Sequence, residues 1–185
     1  MKSITRPSLT GDKKEVRNQI TDKMIVLGID PGIATTGYGL IESSSGNYKL
    51  LSYGKIATSP KDPFPKRLEK IFEDIKEIAA SFKPSEMAVE KIFFAKNVKT
   101  ALNVSQARGV ILLAGAKSGL SIFEYTPLEI KLAITGFGQA TKDQVGKMVV
   151  RLLNLKEPPK PDDAADALAC ALCHIHSAKM RKLGA

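Results

Sequence analysis

The stretch VLGIDPGIATTGYGLIE, Val26 to Glu42, decides how the rest of the chain is read. A short apolar run from Met24 to Ile29 drives straight into Asp30, and Pro31 and Gly32 follow at once. Gly37 and Gly39 come next, and a second apolar run resumes. A strand of that composition reads as buried, so a carboxylate at its end is either tolerated or used. Gly32, Gly37 and Gly39 are expected to let the backbone turn close beside it.

Working outward from Asp30, β-rich runs at 24–29, 37–42 and 48–57 predict a meander of three strands, the last two joined by the turn-forming SSSGN. Residues 64–82 place Leu68, Ile71, Phe72, Ile75, Ile78, Ala79 and Phe82 at helical spacing, and Lys83-Pro84 ends that helix. EMAVE (86–90) reads as a short strand, followed by a long, mostly apolar helix from about Asn97 to Lys117. LSIFEY (120–125) is the next strand, and Pro127 suits the first turn of a helix across 127–134. Thr141 with Gln144 forms a capping box for a further helix. A last helix starts at Asp162 or Asp163 and runs to about His176. The order βββαβαβααα implies an α/β fold in which a mixed sheet carries helices on both faces.

With 185 residues and 43% apolar composition, the chain is large enough for one domain with a real core. Its 28 basic and 19 acidic residues leave a charge of +9, which favours a polyanionic partner, nucleic acid first. Residues 1–23 carry 6 basic and 3 acidic residues, so 24–185 keep +6 and the basicity belongs to the domain. That first segment has no apolar core of a secretory signal, and its isolated apolar residues read as a flexible N-terminal extension. The domain is expected over 24–178, with 179–185 as a C-terminal tail. No apolar run approaches the ~20 residues of a membrane span. Two cysteines cannot make a disulfide framework, so the expected compartment is the cytoplasm.

Four acids sit where solubility does not require them. Asp30 and Glu90 end the first and fourth strands, and Asp163 and Asp166 stand three apart at the start of the last helix. Ligands of α/β sheets bind at the carboxyl ends of strands, so these elements could bring four carboxylates together. Uncompensated, such a cluster repels itself and raises its own pKa values. An all-oxygen set suits Mg²⁺, with Mn²⁺ as substitute, and two such ions can serve in-line phosphoryl displacement. Taken singly, each acid has an ordinary reading: Asp30 as a turn residue, Glu90 as an exposed strand end, Asp162 or Asp163 as an N-cap.

The chain resembles the RuvC Holliday-junction resolvases. GIDPGIATTGYG, VEKIFFAKNVKTALNVSQARGV, FEYTPLEIKLAITGFGQATKDQV and PDDAADALACALCH carry the likeness, in the family's order, across essentially all of 24–176. The resemblance implies an RNase H-like fold with a five-stranded mixed sheet. It also implies a homodimer, Mg²⁺-dependent cleavage of a four-way DNA junction by paired cuts, and a role in recombinational repair beside the RuvA and RuvB branch-migration proteins. The catalytic and metal-holding acids become Asp30, Glu90, Asp163 and Asp166. Asp162 is an extra acid beside the third position. Asp163 is preferred because it keeps the D-A-A-D spacing, although the linker length alone favours Asp162.

Phe93 and Phe94, then Lys96 and Asn97, follow Glu90 in a pattern that fits DNA, with rings for unpaired bases and lysines for phosphates. The family pattern points to Phe93 as the ring that enters the junction, and to Lys131 and Lys142 as basic positions near the scissile strand. The helix 97–117 is the expected dimer surface. CALCH (170–174) matches a haem-attachment pattern but falls in the last amphipathic helix, so packing cysteines are expected rather than haem, with zinc as the lesser alternative. An RNA-processing nuclease of the related YqgF family and a junction binder without catalysis are the alternative readings.

Overall fold

The computed structural model describes residues 23–92 and 98–183. The strands are β1 (Met24–Asp30), β2 (Thr35–Ser44), β3 (Asn47–Ala57), β4 (Glu86–Glu90) and β5 (Ser121–Tyr125). The helices are α1 (Phe64–Phe82), α2 (Val98–Lys117), α3 (Pro127–Thr135), α4 (Lys142–Leu152) and α5 (Asp162–Leu183). They form one sheet in the order β3-β2-β1-β4-β5. The β1–β2 and β2–β3 pairs are antiparallel, while β1–β4 and β4–β5 are parallel. This is the expected α/β fold with a five-stranded mixed sheet.

Period-two alternation divides the buried residues of the central strands between two cores. Leu27, Ile29, Met87 and Val89 point to the side of α1 and α2, where Ile71, Ile75, Ala107 and Ile111 meet them. Val26 and Ala88 point the other way, to α5, α3 and α4. α5 lies very close to that face because β1 and β2 are notched by glycine. A Cβ at Gly28 would stand 2.0 Å from Ala167 O, and one at Gly39 would meet Leu168 Cδ2 at 2.6 Å. The small residues of AADALACAL supply the matching surface.

This corrects the expectation for two glycines. Gly37 and Gly39 lie inside β2, two apart and on one face, and they serve close packing of α5. The turn beside Asp30 belongs to Gly32, where a Cβ would stand 2.1 Å from Thr35 O. Thr36 Oγ1 donates to Gly32 O at 2.6 Å, and Thr58 N–H donates to Ala34 O at 3.0 Å, so the turn is pinned from both sides.

α5 is also longer than its apolar pattern predicts, running past His176 to Leu183. The segment SAKMRKL has no apolar stripe to bury, yet it contains no breaker, so the helix continues. The predicted capping box of Thr141 and Gln144 is present, and Thr126 with Glu129 makes a second one ahead of α3. No described helix is long and apolar enough to cross a membrane.

Candidate active site

Register alone brings the first two acids together. Ile29 pairs with Val89 across the parallel β1–β4 ladder, so Asp30 and Glu90 are the next neighbours along it. Adjacent strands lie about 4.8 Å apart, and residues in step share a face. The face is that of Gly28 and Ala88, on which α5 lies. Asp30 also stands opposite Gly37 in the β1–β2 ladder. A Cβ at Gly37 would meet Asp163 O at 2.0 Å and Asp163 Cβ at 3.0 Å. The first turn of α5 is therefore seated directly beside Asp30 by a missing side chain.

Asp30, Glu90 and Asp166 share a pocket of about 290 Å³ with Lys131 and Lys142. Pro127, Ile130, Val145 and Ala169 supply its apolar walls. Asp163 is half-buried at the edge of this group and acts on Asp30 by its charge. Asp162 lies outside the pocket lining, with its side chain 83% exposed. The four acids and two lysines expected from the sequence are thus gathered at one end of the sheet. Phe93, Phe94, Lys96 and Asn97 lie outside the described residues.

The profile of the family described as Crossover junction endodeoxyribonuclease RuvC matches residues 26–174. The chain belongs to the RuvC family. The RuvC crossover junction endodeoxyribonuclease of Halothermothrix orenii is 52% identical over 159 residues, which cover 86% of this chain and 96% of that protein. The one from Moorella thermoacetica is 53% identical over 159 residues, covering 86% and 95%. The solved structure of Thermus thermophilus RuvC in complex with Holliday junction substrate matches with a TM-score of 0.81 at 38% identity, covering 85% of this chain and 96% of that one. The yeast mitochondrial Holliday junction resolvase Ydc2, at 14% identity and a TM-score of 0.64, shares the fold.

The electrostatics of this RuvC-family pocket are those of a crowded anionic site. Burial is the first cause that lifts Asp30 from 3.8 to about 7, and Glu90, Asp166 and Asp163 add to it. Burial likewise lifts Glu90 from 4.5 to about 7, with Asp166 next, against the opposing pull of Lys142 and Lys131. The Lys142 ammonium stands 2.8 Å from Asp166 Oδ2 and 3.9 Å from Asp162 Oδ2. No three carboxylate, imidazole or thiol groups among the described residues stand in a metal-binding arrangement as they are. The donor set nevertheless fits a hard divalent cation. Its donors are all carboxylate oxygens, two of them raised chiefly by burial, and one is partnered by an exchangeable lysine.

The CALCH segment is absorbed by packing. Cys170 and Cys173 are buried in α5, and burial pushes the Cys173 thiol up to about 12. His174 is fully buried, with Nδ1 2.7 Å from the Tyr125 hydroxyl and Nε2 hydrogen-bonded to the Glu86 carboxylate. His176 Nδ1 lies 3.1 Å from Ala133 O, away from this group.

Sequence reasoning did not find the seat that Gly37 makes for α5. Its signal was the glycine spacing itself, two apart within a β-rich run. The apolar walls from α3 and α4 were also missed, because Pro127, Ile130 and Val145 read as ordinary helix residues.

Proposed function

We propose that this chain is a homodimeric, divalent-metal-dependent endonuclease that resolves four-way DNA junctions by paired symmetric cuts. The observation that carries the reading is the placement of Asp30 and Glu90 at adjacent parallel strand ends with the first turn of α5 laid beside them. Asp30, Glu90, Asp163 and Asp166 would hold the cations, Mg²⁺ with Mn²⁺ as substitute. Bound there, two such ions supply charge stabilisation for the attacking and leaving oxygens of an in-line phosphodiester hydrolysis.

The chain's own groups do the rest. Lys131 and Lys142, from α3 and α4, balance the phosphate charge at the pocket rim. Pro127, Ile130 and Val145 limit water around the carboxylates and strengthen every charge interaction inside. Phe93, Phe94, Lys96 and Asn97 are assigned to the DNA, with Phe93 as the ring that opens the crossover. A four-way junction has two-fold symmetry, and a C₂ dimer presents two equal sites to it. Leu102 and Leu113 of α2, 56% and 51% exposed, support that helix as the dimer face. The family relationship supports a cytoplasmic role in recombination and repair with RuvA and RuvB as partners.

The test is incubation with a synthetic four-way junction, a matched duplex and single-stranded RNA, with and without Mg²⁺. Symmetric nicks in the junction alone, only with metal, are expected. Preferential cutting of RNA, or cutting that persists in chelator, would overturn the reading.

A further inference from the structure

A group of exposed apolar side chains stands beside the carboxylate pocket. Among the described residues seven large hydrophobics are exposed, and three of them, Leu128, Leu132 and Phe137, belong to α3 and the loop after it. α3 is also a wall of the pocket through Pro127, Ile130 and Lys131. At about 100° per residue, Lys131 falls between the buried side of α3, marked by Ile130 and Ile134, and the side bearing Leu128 and Leu132. The apolar patch therefore begins where the pocket ends, with a lysine on the border.

The backbone of Phe137 is held in place while the residue is 59% exposed. Its N–H donates to Thr135 Oγ1 at 3.1 Å, and its carbonyl accepts from Ala140 N–H at 3.0 Å. Gly136 before it turns the chain in the left-handed region, with φ of 73°. Gly138 after it lies so close to Leu128 that a Cβ would stand 2.6 Å from Leu128 Cδ1. A ring carried on a fixed backbone and left in water forgoes burial and marks a contact surface.

The two rims of the pocket differ in what they offer a strand. The α4–α5 rim is charged, with Lys142, Asp143, Lys147 and Asp162. The α3 rim is apolar with one lysine. A DNA strand whose phosphate sits in the pocket must leave it across a rim, and an unpaired nucleotide matches the α3 side on both counts. Its phosphate suits Lys131, and its base face suits a phenyl ring. A protein partner would account for the leucines but not for their continuity with the pocket.

We propose that Phe137, backed by Leu128 and Leu132, stacks on an unpaired base of the junction strand next to the phosphate held at the carboxylate pocket, and so positions that strand for cutting. The inference rests on the resolvase reading. It is tested with junctions carrying 5-iodouracil at successive positions around the cut site, irradiated without divalent cation so that the strand stays whole. Mass spectrometry should map a crosslink to Phe137 at one or two adjacent positions. With Mg²⁺, Phe137→Leu should slow junction cleavage about tenfold, the order expected for one lost stacked base, with an unchanged melting temperature. Phe137→Tyr should restore the rate.

Equal cleavage by wild type and Phe137→Leu, with crosslinks only elsewhere, would overturn the proposal and leave the resolvase reading standing. A Phe137→Leu change in oligomeric state without a change in crosslinking would assign the patch to a protein contact instead. Failure of the wild type to bind or cut junctions would remove both readings.

Discussion

Beside the two ends of β4, α5 buries polar groups in opposite ways. Near its start, Asp163 and Asp166 stand beside Asp30 and Glu90, and acids outnumber the two lysines in a place that gives them little solvent. About two turns beyond Asp166, His174 is fully buried, yet both its ring nitrogens are engaged, by Tyr125 and by Glu86. The ring also packs on Phe123, with centroids 4.4 Å apart. At one end the chain completes its own hydrogen bonds. At the other it leaves like charges only partly compensated by Lys131 and Lys142, which folding alone would not select. The difference separates a polar group kept for architecture from one kept for chemistry.

The largest effects should come from the carboxylate end. Asp30→Asn, Glu90→Gln, Asp163→Asn or Asp166→Asn should each lower junction cleavage about a thousandfold or more, because each removes a charge that holds the cations. Junction binding, measured by gel shift without metal, should change little. The same Asp30→Asn variant should melt no lower than wild type, since it relieves repulsion. A variant that loses cleavage only because it unfolds would erase the proposed difference between the two ends.

His174→Ala should give the reverse pattern. It leaves the Tyr125 hydroxyl and the Glu86 carboxylate without their shared partner and opens a cavity beside Phe123. A stability loss of about 3 kcal/mol is expected, read by denaturant titration. At a temperature where the variant is folded, its cleavage rate should stay near wild type. Cleavage as severely impaired as in Asp166→Asn would place His174 in the working site and collapse the comparison.

How far these two ends were legible in the sequence depends on what each residue type can signal. Asp30 and Glu90 were readable because a strand that reads as buried has few reasons to end on an acid, and strand ends are where ligands bind. Gly37 and Gly39 were misread because glycine serves both turns and close packing, and only the position of α5 distinguishes them. Lys142 carried no signal of its own, since a lone lysine at a helix start is ordinarily solvated. Its place 2.8 Å from Asp166 depends on how α4 packs against α5. The pairing of His174 with Glu86 joins residues far apart in the chain, which periodicity cannot reveal. The helical extension to Leu183 was hidden for a simpler reason: a polar helix end has no apolar stripe to count.

Protonation offers a smaller, quantitative contrast. Asp30 has an unfolded value near 3.8 and is lifted to about 7 in the fold, so the folded state holds its proton more tightly. Its contribution to stability is full below about 4, declines as pH rises, and is lost above about 7. Glu90 behaves alike from 4.5 upward. Metal-free protein should therefore lose several degrees of melting temperature from this pair between pH 5 and pH 8. Asp30→Asn should flatten part of that slope. Added Mg²⁺ should stabilise more at pH 8 than at pH 5, because the carboxylates must be ionised to bind it. A metal effect independent of pH would argue that the cation binds elsewhere.

The smallest expected effect discriminates most finely, because it concerns neighbours. Asp162 and Asp163 open α5 side by side, four and three residues before Asp166, so helical spacing alone keeps both near its face. Asp163 is pressed against Gly37, opposite Asp30 in the ladder, and its charge adds to the rise in the Asp30 pKa. Asp162 has its side chain 83% exposed and stands 3.9 Å from the Lys142 ammonium. An exposed pair at that distance is worth little, and salt screens it. Asp162→Asn should therefore change junction cleavage by less than about threefold, with any change fading as ionic strength rises. Asp163→Asn in the same assay should be nearly inactive. If the two results exchange places, α5 begins one residue out of register with the pocket. Asp162 would then be the third acid, and the seat at Gly37 would hold a residue with no part in the reaction.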